Sequence, residues 1–250
     1  MLLRLSCLSA CVAMSAMLVS ACGTAGGDRT AGSDKGDRVR EDTPTPAAAS
    51  DGADDLKRAL LPMPPAQPDD MLRFGPVTGP YSTVFAKLVD GQAQPPLGRC
   101  FKAMSVPGRI EELGDAGRVA PAVLAMWTDR KRRVTVQETI LRLPGASTRR
   151  LVTTEVPETC RDFSFSVGGE HYRRTLKSDI VRQRDGASER IQFVEDRAGE
   201  ATTHSCQLTH QREGHVLLLS ISQVRAPFAR TVCLDAIKEA DDRATAALGR

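Results

Sequence analysis

Cys100, Cys160, Cys206 and Cys233 constrain the fold of this 250-residue chain more than any other feature. They are separated by 60, 46 and 27 residues, so none forms the close C-x-x-C pair usual in metal sites. Whether such cysteines become disulfides depends on the compartment, and the amino terminus speaks to that. Arg4 supplies a one-charge n-region, and Leu5 to Leu18 follows without a charged residue and rich in Leu, Val, Ala and Met. The run falls short of the roughly 20 apolar residues that a membrane-spanning helix needs. It fits a cleaved secretory segment. Four cysteines, an even number, in an exported chain read as two disulfides, and zinc is the weaker alternative.

Directly after the apolar run stands Leu18-Val19-Ser20-Ala21-Cys22-Gly23. An apolar residue three before the cysteine and small residues between them resemble the lipobox of bacterial lipoproteins. That resemblance implies a signal peptide over residues 1–21, a diacylglycerol on the Cys22 thiol and a palmitate-type acyl chain on the new amino terminus. The implied location is lipid-anchored on the extracytoplasmic face of the cell membrane, with the membrane as a partner through the lipid on Cys22. Residues 22–53 are mostly Gly, Ala, Thr, Ser, Asp and Pro, which cannot bury enough surface to offset ordering entropy and so predict a flexible tether. Residues 54–250 suit one domain with a sizeable core. Net charge is +3 with both signs interspersed, and only 4% of residues are aromatic. No footprint for nucleic acid and no sugar-stacking surface follows from that balance.

Local signals sketch an α+β domain. Asp54 or Asp55 caps a short helix that Pro62 stops, and Pro62, Pro64, Pro65 and Pro68 make an extended connector. A helical turn is expected near Ile110 to Leu113. Ala120–Trp127 and Arg133–Leu143 predict a hairpin whose Val134, Val136 and Ile140 share a face. Ala146–Val156 predicts a helix with a thin apolar stripe. From Phe163 the chain reads as a meander, with strands at His171–Arg182, Glu189–Val194, Ala201–His210 and His215–Val224. Asp185-Gly186, Ala198-Gly199 and Glu213-Gly214 supply the turns. Phe228–Leu248 carries the strongest helical signal, with Cys233, Ile237, Ala240, Ala244 and Leu248 on one stripe.

A two-residue turn at Glu213-Gly214 sets Arg212 opposite His215 and Cys206 opposite Ile221. Cys206, Leu208 and His210 then share a face with Leu217, Leu219 and Ile221, which the terminal helix covers. Cys206–Cys233 follows from that geometry and leaves Cys100–Cys160. The other two pairings stay open, because a turn register off by one undoes the argument.

Chemistry is harder to find. His171, His204, His210 and His215 show no H-x-H or H-E-x-x-H spacing, so no metal ligand is assigned, and His210 reads as a residue at the rim of the core face. Gly168-Gly169 reads as a turn between strands, not a phosphate loop, and no G-x-S-x-G elbow occurs. Arg130-Lys131-Arg132-Arg133 is a hairpin tip, with anionic headgroups as its alternative contact. Neither a catalytic residue nor a cofactor is assigned.

Several features together resemble the PknH-type extracytoplasmic sensor domain of actinobacterial lipoproteins and mycobacterial receptor kinases. They are Leu60-Leu61-Pro62 at the start, Cys100 ahead of a strand pair, Thr139 to Pro144, and the short helix leading to Cys160. The Cys206 strand, Val216-Leu217-Leu218-Leu219-Ser220 and the Ala-rich helix through Ala247 complete the pattern. The resemblance implies a twisted antiparallel β-sheet flanked by helices around a cleft, with two sequential disulfides, and ligand sensing without catalysis. The expectation is therefore an α+β domain, its long C-terminal helix packed on the sheet, that binds a small or lipidic ligand or an envelope protein. A cell-envelope hydrolase and a structural envelope protein are the rival readings.

Overall fold

The computed structural model describes residues 48–62, 70–89, 98–104, 108, 110, 113–143, 148–184, 186–212, 214–225 and 230–248. Cys22, the leader, most of the tether and the connector at Pro64, Pro65 and Pro68 lie outside the described residues. The strands are β1 (Met71–Pro80), β2 (Pro121–Asp129), β3 (Val134–Arg142), β4 (Asp162–Val167), β5 (Glu170–Arg184), β6 (Ala187–Ala198), β7 (Ala201–Arg212) and β8 (His215–Val224). The helices are α1 (Ala48–Ala59), α2 (Tyr81–Val89), α3 (Arg99–Met104), α4 (Asp115–Arg118), α5 (Arg149–Thr153) and α6 (Arg230–Leu248). The strands form one antiparallel sheet in the order β1-β2-β3-β8-β7-β6-β5-β4. A meander from β4 to β8 therefore joins the β1–β3 group where β8 pairs β3, at the sheet's centre.

Alternation along the strands splits the core into two sides. On one side Val123, Val136, Ile140, Cys206, Leu208, Leu217, Leu219 and Ile221 pack against Leu56 and Ala59 of α1, Leu60 just after it, and Cys233, Ile237, Ala240 and Ala244 of α6. On the other, Leu124, Leu141, Val216 and Leu218 meet Tyr81, Val84, Phe85 and Leu88 of α2. The β7–β8 register is the one a two-residue turn dictates, with Arg212 opposite His215 and Cys206 opposite Ile221. Gly214 at that turn has φ +84°, a conformation that a side chain would strain. Cys206 is bonded to Cys233 of α6, with Cα atoms 6.4 Å apart, and Cys100 of α3 to Cys160, at 4.8 Å.

Because Ile237 is only 6% exposed in that layer, Ile237→Asp places an unpaired carboxylate among apolar side chains. The expected loss is on the order of 3 kcal/mol, from lost packing and desolvation. Thermal melts of the two proteins decide it: an unchanged melting temperature would make α6 peripheral.

The structure corrects the local reading at α1, α5 and His210, and adds β1, where the sequence carried no strand reading. α1 begins at Ala48, inside the segment read as tether, because the Ala-rich lead-in favours helix more than its low bulk suggests. α5 spans only Arg149–Thr153, shorter than the helix predicted over Ala146–Val156. β1 carries Gly75, Pro76, Gly79 and Pro80, and a proline-bearing strand is tolerated here because β1 is an edge. A Cβ at Gly75 would lie 2.5 Å from the Leu124 carbonyl oxygen, so the close approach of β1 to β2 requires glycine there. His210, placed at the rim by sequence, is fully buried because α6 runs over it.

Candidate functional site

A sheet face covered by helices normally reads apolar, yet the α2 side of the central strands does not. Three consecutive cross-strand rows carry hydrogen-bonding side chains. Gln137, Ser220, Gln207 and Gln192 stand side by side on β3, β8, β7 and β6. Beside them run Thr128, Thr135, Ser222 and Ser205, from β2 to β7. On the other flank Thr139 and Thr209 bracket Leu218, and Arg190 follows Thr209. The apolar α2 layer borders this strip on one side. On the other lie Phe101, Phe165 and Tyr172, with Met104, Val156, Leu176 and Val194 nearby. The polar floor thus separates two apolar clusters on the same face.

Most of these side chains are buried, while Gln137, Ser220 and Thr128 remain partly exposed. Thr128 and Thr135 satisfy each other, hydroxyl to hydroxyl at 3.0 Å. Gln192 Nε2 and Ser220 Oγ are buried without a hydrogen-bond partner. Each such group costs about 1–3 kcal/mol when nothing replaces the lost water. Buried groups of this kind call for a polar partner, an ordered water or a ligand.

Two buried ion pairs frame the strip. Arg174 Nε and Nη2 donate to Asp196 Oδ1 and Oδ2, both at 2.7 Å. The Arg174 guanidinium carbon also lies 4.9 Å from the Phe101 ring centre and 5.6 Å from that of Phe165. Arg190 pairs with Asp179 through Nε at 2.7 Å and donates to the carbonyls of Val152 and Thr154, which staples α5 to the sheet. Nothing in the local sequence distinguishes these arginines from the exposed ones around them. Their partners stand 22 and 11 residues away, on neighbouring strands.

The features that sequence singled out fall elsewhere. Gly168 and Gly169 form the β4–β5 turn. Arg130–Arg133 form the exposed β2–β3 turn, where the Arg132 amide donates to Asp129 Oδ1 at 2.8 Å. Ser166 Oγ and His171 Nδ1 lie 2.8 Å apart, but both residues are exposed on the β4–β5 hairpin, open to water. His204 is half-buried near Glu195, and the His210 and His215 rings stack 6.3 Å apart. Sequence reasoning missed the polar strip, although the alternation of Gln207 and Thr209 with Cys206 and Leu208 was its visible trace.

No family model and no curated protein sequence matches the chain. Among solved structures, the extracellular domain of PknH from Mycobacterium tuberculosis is 13% identical, with a TM-score of 0.46. That alignment covers 70% of this chain and 85% of the other. A putative uncharacterized protein from Mycobacterium smegmatis, an Rv0999 ortholog, is 12% identical with a TM-score of 0.33, covering 75% and 80%. No helix among the described residues is long and apolar enough to cross a membrane.

Proposed function

We propose that this protein is a lipid-anchored, extracytoplasmic, non-enzymatic binding domain whose ligand docks on the polar strip of the sheet. The observation that carries the reading is the pair of buried, unpartnered groups, Gln192 Nε2 and Ser220 Oγ, within an otherwise hydrogen-bonding floor. A floor of amides and hydroxyls favours a small polar ligand over an acyl chain, whose burial would strip water from those groups without replacement. The secretory run, the lipobox-like Val19-Ser20-Ala21-Cys22 and the two disulfides support an oxidising compartment outside the membrane.

Two measurements test it together. Cys22→Ala is expected to abolish labelling by a palmitate analogue in the native host, and labelling that persists would end the anchor reading. Native mass spectrometry of the purified protein is expected to show a co-purified small molecule. Gln192→Leu should lose it while staying folded, with stability unchanged or raised by about 1 kcal/mol, since an unpaired amide is removed. A bound mass unaffected by Gln192→Leu would place the ligand elsewhere.

A further inference from the structure

We propose that His210 Nε2 and Asp241 hold a divalent transition-metal ion of the zinc class, with Glu189 orienting the imidazole through Nδ1, and that this ion would fasten α6 to the sheet. The three residues come from separate elements. Glu189 on β6 and His210 on β7 stand opposite each other in register, and Asp241 comes down onto them from α6. One donor atom from each lies within 4.8 Å of the others.

The histidine argues for an ion at this place. Its side chain has no exposure to solvent, so both ring nitrogens need partners inside the protein. Nδ1 has one, Glu189 Oε1 at 3.3 Å. Nε2 lies 3.0 Å from Asp241 Oδ1 but is not aligned with it as a hydrogen bond and has no other partner. Metal-binding histidines are held in this manner, one nitrogen engaged by a carboxylate and the other left for the ion. Ligand atoms on an ion with bonds of roughly 2.0–2.2 Å stand about 3 Å apart in octahedral and about 3.4 Å apart in tetrahedral geometry, so the 3.0 Å between Nε2 and Oδ1 needs at most a small side-chain shift to take an ion. An imidazole nitrogen with carboxylate oxygens suits zinc and its neighbours, whereas calcium and magnesium prefer oxygen alone. The Glu189 and Asp241 side chains are each 15% exposed, so the ion and its remaining water ligands have a way in.

The test uses the tag-free mature protein, stripped with EDTA and titrated with Co²⁺ or Zn²⁺. Saturable binding of one ion per chain is expected, with a visible Co²⁺ absorption band and a raised melting temperature. His210→Gln and Asp241→Asn should each weaken binding tenfold or more, in keeping with lost metal ligands. If His210→Gln does not fold, Asp241→Asn decides, because that near-isosteric change lies at a partly exposed side chain. An absence of saturable binding in the unaltered protein would overturn the proposal. So would binding that Asp241→Asn leaves unchanged, because the ion would then be held by His171, His204 or other surface groups.

Discussion

Arg174→Met is expected to destabilise the protein by about 3–5 kcal/mol, because it leaves the Asp196 carboxylate buried without its cation. The two side chains are 2% and 7% exposed, so water cannot take over the role of the guanidinium. The substitution also removes the cation over the Phe101 and Phe165 rings, a contribution of up to about 2 kcal/mol when desolvated. Against the 5–15 kcal/mol typical of a whole domain, taken as a rough range, this is a large share. The double variant Arg174→Met with Asp196→Leu should recover most of the loss, since two apolar side chains of similar volume no longer carry an unpaired charge. Urea denaturation of the three proteins makes the comparison. A single variant within 1 kcal/mol of the parent, a rough limit for solvated ion pairs, would show that the pair is effectively in water.

Glu138→Gln is expected to flatten the pH dependence of stability and to stabilise the protein above pH 8. Glu138, on the α6 side of β3, accepts the Leu61 amide at 2.7 Å through Oε2, while Oε1 is buried without a partner. Burial pushes its pKa from the ordinary 4.5 up to about 8, against the opposing charge of Arg243. Between those two values the folded protein holds a proton that the unfolded chain has lost. This group's stability is therefore fully present below pH 4.5 and falls as pH rises through 8. The full span is on the order of 5 kcal/mol at about 1.4 kcal/mol per pKa unit. Glutamine keeps an oxygen for Leu61 and carries no charge at any pH, so its melting curve from pH 5 to 9 should lack this fall. Parallel curves for parent and variant would mean that Glu138 ionises in contact with water. Leu61 lies two residues beyond α1, and Arg243 donates to the Leu60 carbonyl at 2.9 Å, so Glu138 sits where the end of α1 meets α6.

Much of the fold was legible where the signal is local. A two-residue turn and a period of two suffice to put Cys206 opposite Ile221, and a period of 3.6 suffices to put Cys233 and Ile237 on one stripe of α6. Tyr81, Val84, Phe85 and Leu88 also stand at helical spacing, a trace of α2 obscured by the glycines and prolines of β1 just before it. The candidate sites were not legible, for a different reason. Gln192, Gln207, Ser220 and Gln137 are scattered polar residues until β8 pairs with β3 and aligns four strands into a row. His210 is an ordinary strand histidine until α6 delivers Asp241 to its Nε2. Glu138 is one acid among many until α1 and α6 close over it and exclude water.

By itself, then, the sequence determined what depends on neighbours along the chain: strand and helix periods, turn positions, and the α6 face that must be covered. Only the tertiary structure decided which distant residues meet and which of them lose water. Those choices turn on strand order and helix placement, which are set by packing across the whole sheet and leave no local pattern behind.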